Sequence, residues 1–153
     1  MQILTNTPEK LVLEERYTVL AGASWFSAMT LLFGIWNKWP NLDDPAKWGI
    51  GLTSLAFIAA TVYFLRPSIF EFDKTANHFR WTKPGVFRSH HGQATLDQIK
   101  RVRVDADYAD GTKAYRVLVE TQGATVPFQH GYTTSDASDH HQIVDLIRNW
   151  LGR

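Results

Sequence analysis

The chain has no cysteine, which excludes disulfides, thiolate metal sites and cysteine nucleophiles. A field of one sign is also missing: the formal net charge is +1, so nothing global attracts nucleic acid. No GxSxG, no HExxH and no glycine-rich phosphate loop occurs, so no recognised nucleophilic, zinc-hydrolytic or phosphoryl-transfer signature is present. These absences predict a protein that is not an enzyme, with no cofactor and no small-molecule substrate. Charge itself is missing from two stretches. Tyr17–Trp36 and Trp48–Leu65 hold twenty and eighteen residues without Asp, Glu, Lys, Arg or His.

What is there follows from those two runs. A helix rises about 1.5 Å per residue, so twenty residues cover roughly 30 Å, the thickness of a bilayer's hydrocarbon core. A core helix of a soluble protein would carry a polar stripe, and these runs carry only scattered Ser, Thr and Gly. A mean hydropathy of −0.22 averages them with a polar remainder. The expectation is a transmembrane helical hairpin over residues 17–65 (spans 17–36 and 48–65), with residues 1–16 as a cytoplasmic tail and 66–153 as one cytoplasm-facing domain. A hairpin buried inside a larger soluble partner is the alternative. The first apolar run starts too late and runs too long for a cleaved signal peptide.

Lys10, Arg16, Arg66, Lys74, Arg80, Lys83 and Arg88 flank the pair, against Lys38 and Lys47 in its loop. Seven against two puts both termini on the cytoplasmic side. Trp36, Trp39 and Trp48 fit an aromatic belt at the loop end, and Tyr17 and Tyr63 mark the other interface. Small residues four apart (Ala23/Ser27, Ser24/Ala28, Ala56/Ala60) would let the helices approach closely.

Past Arg66-Pro67 the apolar period changes from helical to two. Strands are predicted at Ile69–Asp73, His78–Thr82, Val86–His90, Ile99–Tyr108, Tyr115–Glu120 and Ala124–Phe128. Turns are expected at Lys74–Asn77, Lys83–Gly85 and Asp110-Gly111. Pro127 marks an edge strand. Thr7-Pro8-Glu9 offers the start of a small interfacial helix. Ser135, Asp136 and Ser138 offer N-caps for a last helix with Ile143, Val144, Leu146, Ile147, Trp150 and Leu151 on one face, stopping at Gly152. The fold class is therefore α+β: an N-terminal transmembrane hairpin, then a pleckstrin-homology-like (PH-like) antiparallel β-barrel or sandwich capped by a C-terminal helix.

That order resembles the bacterial PH-like membrane proteins. It is also similar to the chloroplast-encoded photosystem I assembly factor family, through Phe70–Lys74, Gly85–Arg88, Leu96–Val104, Tyr115–Val119 and Val126–Phe128. The second resemblance implies a two-span thylakoid protein with a stroma-facing domain. Its partner would be an integral membrane complex, a photosystem, which it helps to assemble or stabilise or joins as an accessory subunit.

Candidate site residues come from charge and exposure. Arg80 to Arg103 carries a net charge of +5 and Val104 onward a net of −3. A basic half near a membrane would attract anionic headgroups, about 1 kcal/mol per near-surface cation, and Arg80, Lys83 and Arg88 are its candidates. Leu118 lies between Arg116 and Glu120 on the presumed outer face; if exposed, the three form a docking surface for a protein partner. His90-His91, His130 and His140-His141 lack metal-ligand spacing, and no metal is expected. Asp105, Asp107 and Asp110 do not complete a calcium loop.

Overall fold

The computed structural model describes residues 1–38, 43–85, 88–109, 112–129, 132–134 and 136–153. The chain divides into two compact units: Met1–Glu15 with Ser68–Lys83 and His90–Arg153, and Arg16–Pro67 with Pro84–Ser89.

The first unit is α+β, with two antiparallel sheets. Strands β1 (Gln2–Asn6), β2 (Lys10–Glu15), β3 (Ser68–Asp73), β4 (His78–Lys83) and β5 (His90–Thr95) form a five-stranded sheet in sequence order. Strands β6 (Ile99–Ala109), β7 (Thr112–Thr121) and β8 (Thr125–Pro127) form a three-stranded sheet. Among the described residues no strand pair joins the sheets, so the arrangement is not a closed barrel. The inner faces meet through aromatic side chains. Phe70 of β3 stacks on Phe128, just past β8, with ring centroids 4.0 Å apart, and within the five-stranded sheet Phe72 stacks on its register partner Phe79 at 4.5 Å. Leu11, Leu13, Ile99, Val102, Val117, Val119 and Val126 complete this core.

Helix α3 (Ala137–Leu151) closes the core. Asp136 caps it by accepting from the Ser138 amide, and Gly152 ends it in a left-handed conformation (φ 78°). Val144, Ile147 and Trp150 recur at helical spacing and are buried. The Trp150 indole N–H donates to the Thr7 carbonyl at 2.6 Å, tying the helix to the β1–β2 turn. Arg148 donates to Val102 O at 3.1 Å, and Arg153 donates to Ile99 O. The helix thereby covers carbonyls of β6, an edge strand.

Two departures from the expected elements have physical causes. Residues 1–16 are no tail and begin no helix, since they pair as β1 and β2 around Thr7-Pro8. Leu11 and Leu13 alternate into the core, and β2 pairs with β3 along its whole length, Glu15 opposite Ser68. The partner of β4 is His90–Thr95 and not the predicted Val86–His90 strand, whose residues 86 and 87 lie outside the described residues. Gly92 sits opposite Trp81. A Cβ at position 92 would fall within the radii of Trp81 Cζ2 and Cε2, so the indole occupies the place of the missing side chain and fixes that register.

The second unit is built on α1 (Thr18–Lys38) and α2 (Asp44–Leu65), which pack along each other. Asp43 caps α2 by accepting from Ala46 N at 3.1 Å. Where two membrane-length helices were expected, α2 has that length and composition, while the described apolar run of α1, Val19–Gly34, is shorter. Ala21, Ala28, Ser54 and Thr61 are buried, two per helix and seven apart. Of the expected close-approach pairs only Ala28 is fully buried; Ala23 and Ala56 are exposed. The large side chains point out: Val19 is 83% exposed, Phe26 73% and Trp48 74%. The hydroxyls of Ser27, Thr30, Thr53 and Thr61 each donate to the carbonyl four residues back, at 2.8–2.9 Å.

Candidate functional site

The outer face of the β6–β8 sheet carries a connected ionic array. Side chains alternate along a strand, so when Val102 and Val117 face the core, Arg103, Asp105, Arg116, Leu118 and Glu120 face out. The β6–β7 register puts Asp105 opposite Arg116 and Arg103 opposite Leu118. Arg103 Nε donates to Glu120 Oε1 at 2.6 Å and its Nη1 to Asp105 Oδ1 at 2.8 Å. Arg116 donates to Asp105 Oδ2 from Nε and Nη2, at 3.0 and 2.9 Å. The Tyr132 hydroxyl reaches the same oxygen at 2.7 Å, and the Arg116 guanidinium lies 4.2 Å from the Tyr132 ring centroid.

Asp105 is the hub. The Tyr132 hydroxyl first, then the two guanidiniums, hold its carboxyl below the usual carboxylate range. The bond to Asp105 raises the Tyr132 hydroxyl in turn, and Glu120, then Asp105, raises Arg103. The Asp105 shift runs down and those of Tyr132 and Arg103 run up, which strengthens the ordinary charge states of these three groups and favours a fixed array over a proton-transfer site. Such a face suits recognition by complementary charge.

Leu118 is 2% exposed, so the expected exposed apolar centre is absent. Leu118 lies between Arg103 on β6 and Pro127 on β8, under a face on which Arg103 reaches both Glu120 and Asp105. Arg116 and Glu120 are half-buried members of the array, a polar rim without the open centre. Sequence reasoning missed Arg103, Asp105 and Tyr132 as parts of the site. The outward alternation of Arg101, Arg103, Asp105 and Asp107 on one strand, and of Arg116 and Glu120 on the next, carried the signal for the first two. Tyr132 had none.

The basic candidates are not gathered. Arg80 is exposed on the outer face of β4. Lys83, three residues on, shares the inward parity of Phe79 and Trp81. Its amine donates to the Pro127 carbonyl and lies 5.8 Å from the Phe70 ring. Burial, and then repulsion from Arg116, lowers its pKa to about 8. Arg88 is exposed in the other unit.

The histidines disperse likewise. His91 Nδ1 on β5 is 3.1 Å from Thr82 Oγ1 on β4, whereas His140 is buried against Thr133 and the Asp136 carbonyl. His90 and His141 are exposed; His130 and Asp110 lie outside the described residues. No family model matches the chain, and no curated protein matches it.

Proposed function

We propose that the chain is a non-catalytic, membrane-anchored protein-binding module. The helix pair fixes it in a bilayer, and the charged face of the β6–β8 sheet engages an integral membrane partner. The observation that carries the membrane reading is the inverted burial of α1 and α2: small residues inside, large apolar ones outside. Lipid tails are as apolar as Leu, so helices in a bilayer gain by close approach and not by hiding large side chains. The hydroxyls of Ser27, Thr30, Thr53 and Thr61 bond back to their own helix and so need no water.

The β2–β3 pairing supports the second span. Because Lys10–Glu15 hydrogen-bonds along Ser68–Asp73, the chain must return to the side it left. If α2 crosses, α1 crosses too, and both termini share a side. The Lys and Arg count makes that side cytoplasmic or stromal. Two antiparallel sheets followed by a terminal helix are the features that support the PH-like reading. The resemblance to the photosystem I assembly factor family names the partner: a photosynthetic complex of the thylakoid, which the protein assembles, stabilises or joins. The headgroup reading keeps Arg80 and Arg88 as exposed cations, and Lys83 no longer adds to them.

The absence of cysteine provides a clean test. Single cysteines at Asp43 and Thr75, in the full chain in sealed membranes, should react with an impermeant maleimide from opposite sides. Labelling of both from one side would end the hairpin reading. For the partner, charge reversal of exposed Arg101 on the array face should reduce co-purification of membrane proteins at low salt. Reversal of Arg80 should not. The opposite result would favour anionic lipid.

A further inference from the structure

We infer that Glu71, Asp73 and His78 form a divalent-cation site on the outer face of the five-stranded sheet, of the class that takes zinc through imidazole and carboxylate. The site is independent of the helix pair and of the charged array.

Its geometry comes from the sheet. Glu71 and Asp73 are two apart on β3 and so share a face, and Asp73 stands directly opposite His78 on β4. One oxygen of each carboxylate and one imidazole nitrogen all lie within 4.8 Å of one another. Zinc bonds of about 2.0–2.2 Å at tetrahedral angles place ligand atoms about 3.3 Å apart.

A further observation points to a ligand. His78 Nε2 is buried and has no hydrogen-bond partner, one of four such side-chain atoms among the described residues and the only imidazole nitrogen of the four, whereas buried polar atoms in proteins are generally paired. The Ala76 amide donates to Asp73 Oδ1 at 2.8 Å and holds that carboxylate in place at the strand end. The turn through Asn77 (φ 48°) brings this amide back to the strand end. All three residues are partly buried.

Lys10 is the competitor. It lies opposite Asp73 on β2, and its ammonium is 2.6 Å from Glu71 Oε1. An arriving dication displaces that ammonium from Glu71, and the Lys10 side chain, 43% exposed, swings into water. With three protein ligands the fourth position falls to water or to a group from a partner.

Zinc titration by calorimetry on the detergent-solubilised full chain tests this. One Zn²⁺ per chain should bind, with affinity falling by more than about tenfold in His78→Ala and in Asp73→Asn. His90→Ala/His91→Ala should leave it unchanged. Lys10→Met, which keeps all three ligands and removes the competing ammonium, should bind more tightly. Circular dichroism separates lost ligation from lost folding in the first two variants, and Lys10→Met serves if they do not fold. No binding by the parent chain, equal binding by a folded His78→Ala, or no gain in Lys10→Met would each overturn the proposal.

Discussion

The two units obey opposite packing rules. The sandwich hides Phe70, Phe72, Phe79, Phe128 and Trp150 and shows water an array of Arg, Asp and Glu. The helix pair hides Ala and Ser and shows Phe26, Phe33, Trp48 and Leu52. One chain, built from the same residue types, sorts them in opposite ways, as it would if the helix pair lies in the bilayer proposed above. Water drives large apolar groups together at about 25 cal/mol per Å². A bilayer offers no such drive and leaves close contact as the main gain.

The largest effect should come from emptying the sandwich. Phe72→Ala removes a ring stacked on Phe79 and near Trp150, and should cost about 3–5 kcal/mol in denaturant midpoints read by tryptophan fluorescence. Phe26→Ala on the outside of α1 should leave that midpoint nearly unchanged. Equal losses would abolish the contrast between the units. Next, Ala28→Leu inserts bulk where the helices hide only small residues. It should cost about 1–3 kcal/mol of pair stability, measured as steric trapping or thermal melting in detergent. A neutral outcome would show that the small seam does not set the approach.

Lys83 sharpens the comparison from within the sandwich, as a cation on the wrong side of a sheet. Its folded pKa of about 8 lies below the ordinary lysine value. The unfolded chain therefore holds more protons between those two values, and stability should rise with pH across about 8 to 10.5. Below that window both states are protonated and the cost of burying the charge is fully present. With partial exposure discounted, the rise should be on the order of 1 kcal/mol. Lys83→Met should raise stability at neutral pH and flatten the pH dependence, both visible in urea melts.

The smallest effect belongs to the charged face. Asp105→Asn should cost about 1 kcal/mol or less, because its partners stay partly in water. Asp105 has a depressed folded pKa, so its contribution is present above the unfolded value near 3.9 and is lost as pH falls through the folded one. The loss should be salt-sensitive, and a cost as large as that of Phe72→Ala would make the array part of the core.

Much of the sandwich was legible because its strands alternate. Ile99–Tyr108 reads as a strand since Val102 and Val104 recur every second residue, and α3 reads as a helix from Val144, Ile147 and Trp150. Strand β5 was not legible: His90-His91-Gly92-Gln93-Ala94-Thr95 carries no apolar alternation, and a tryptophan on the neighbouring strand sets its register. Strands β1 and β2 were overlooked because their partner lies beyond both helices, a pairing no local pattern announces. Leu118 was misplaced for the converse reason. Alternation put it outside correctly, but a long arginine opposite it in register, and the pairing of β8, decide what covers an outward position.

The pairing of β2 with β3 also sets an order of events during synthesis. Glu15 and Ser68 end up opposite each other, yet the ribosome makes Arg16–Pro67 between them. At about 5–20 residues per second, β2 waits about 3–10 s for its neighbour. Through that interval Leu11 and Leu13 have no sheet to enter, and the apolar helices leave the exit tunnel first. If the helix pair enters a bilayer as proposed, its insertion therefore precedes closure of the sandwich. A cell that slows insertion would accumulate chains whose first fifteen residues are unsheltered, and those residues are where a chaperone or a protease would act first.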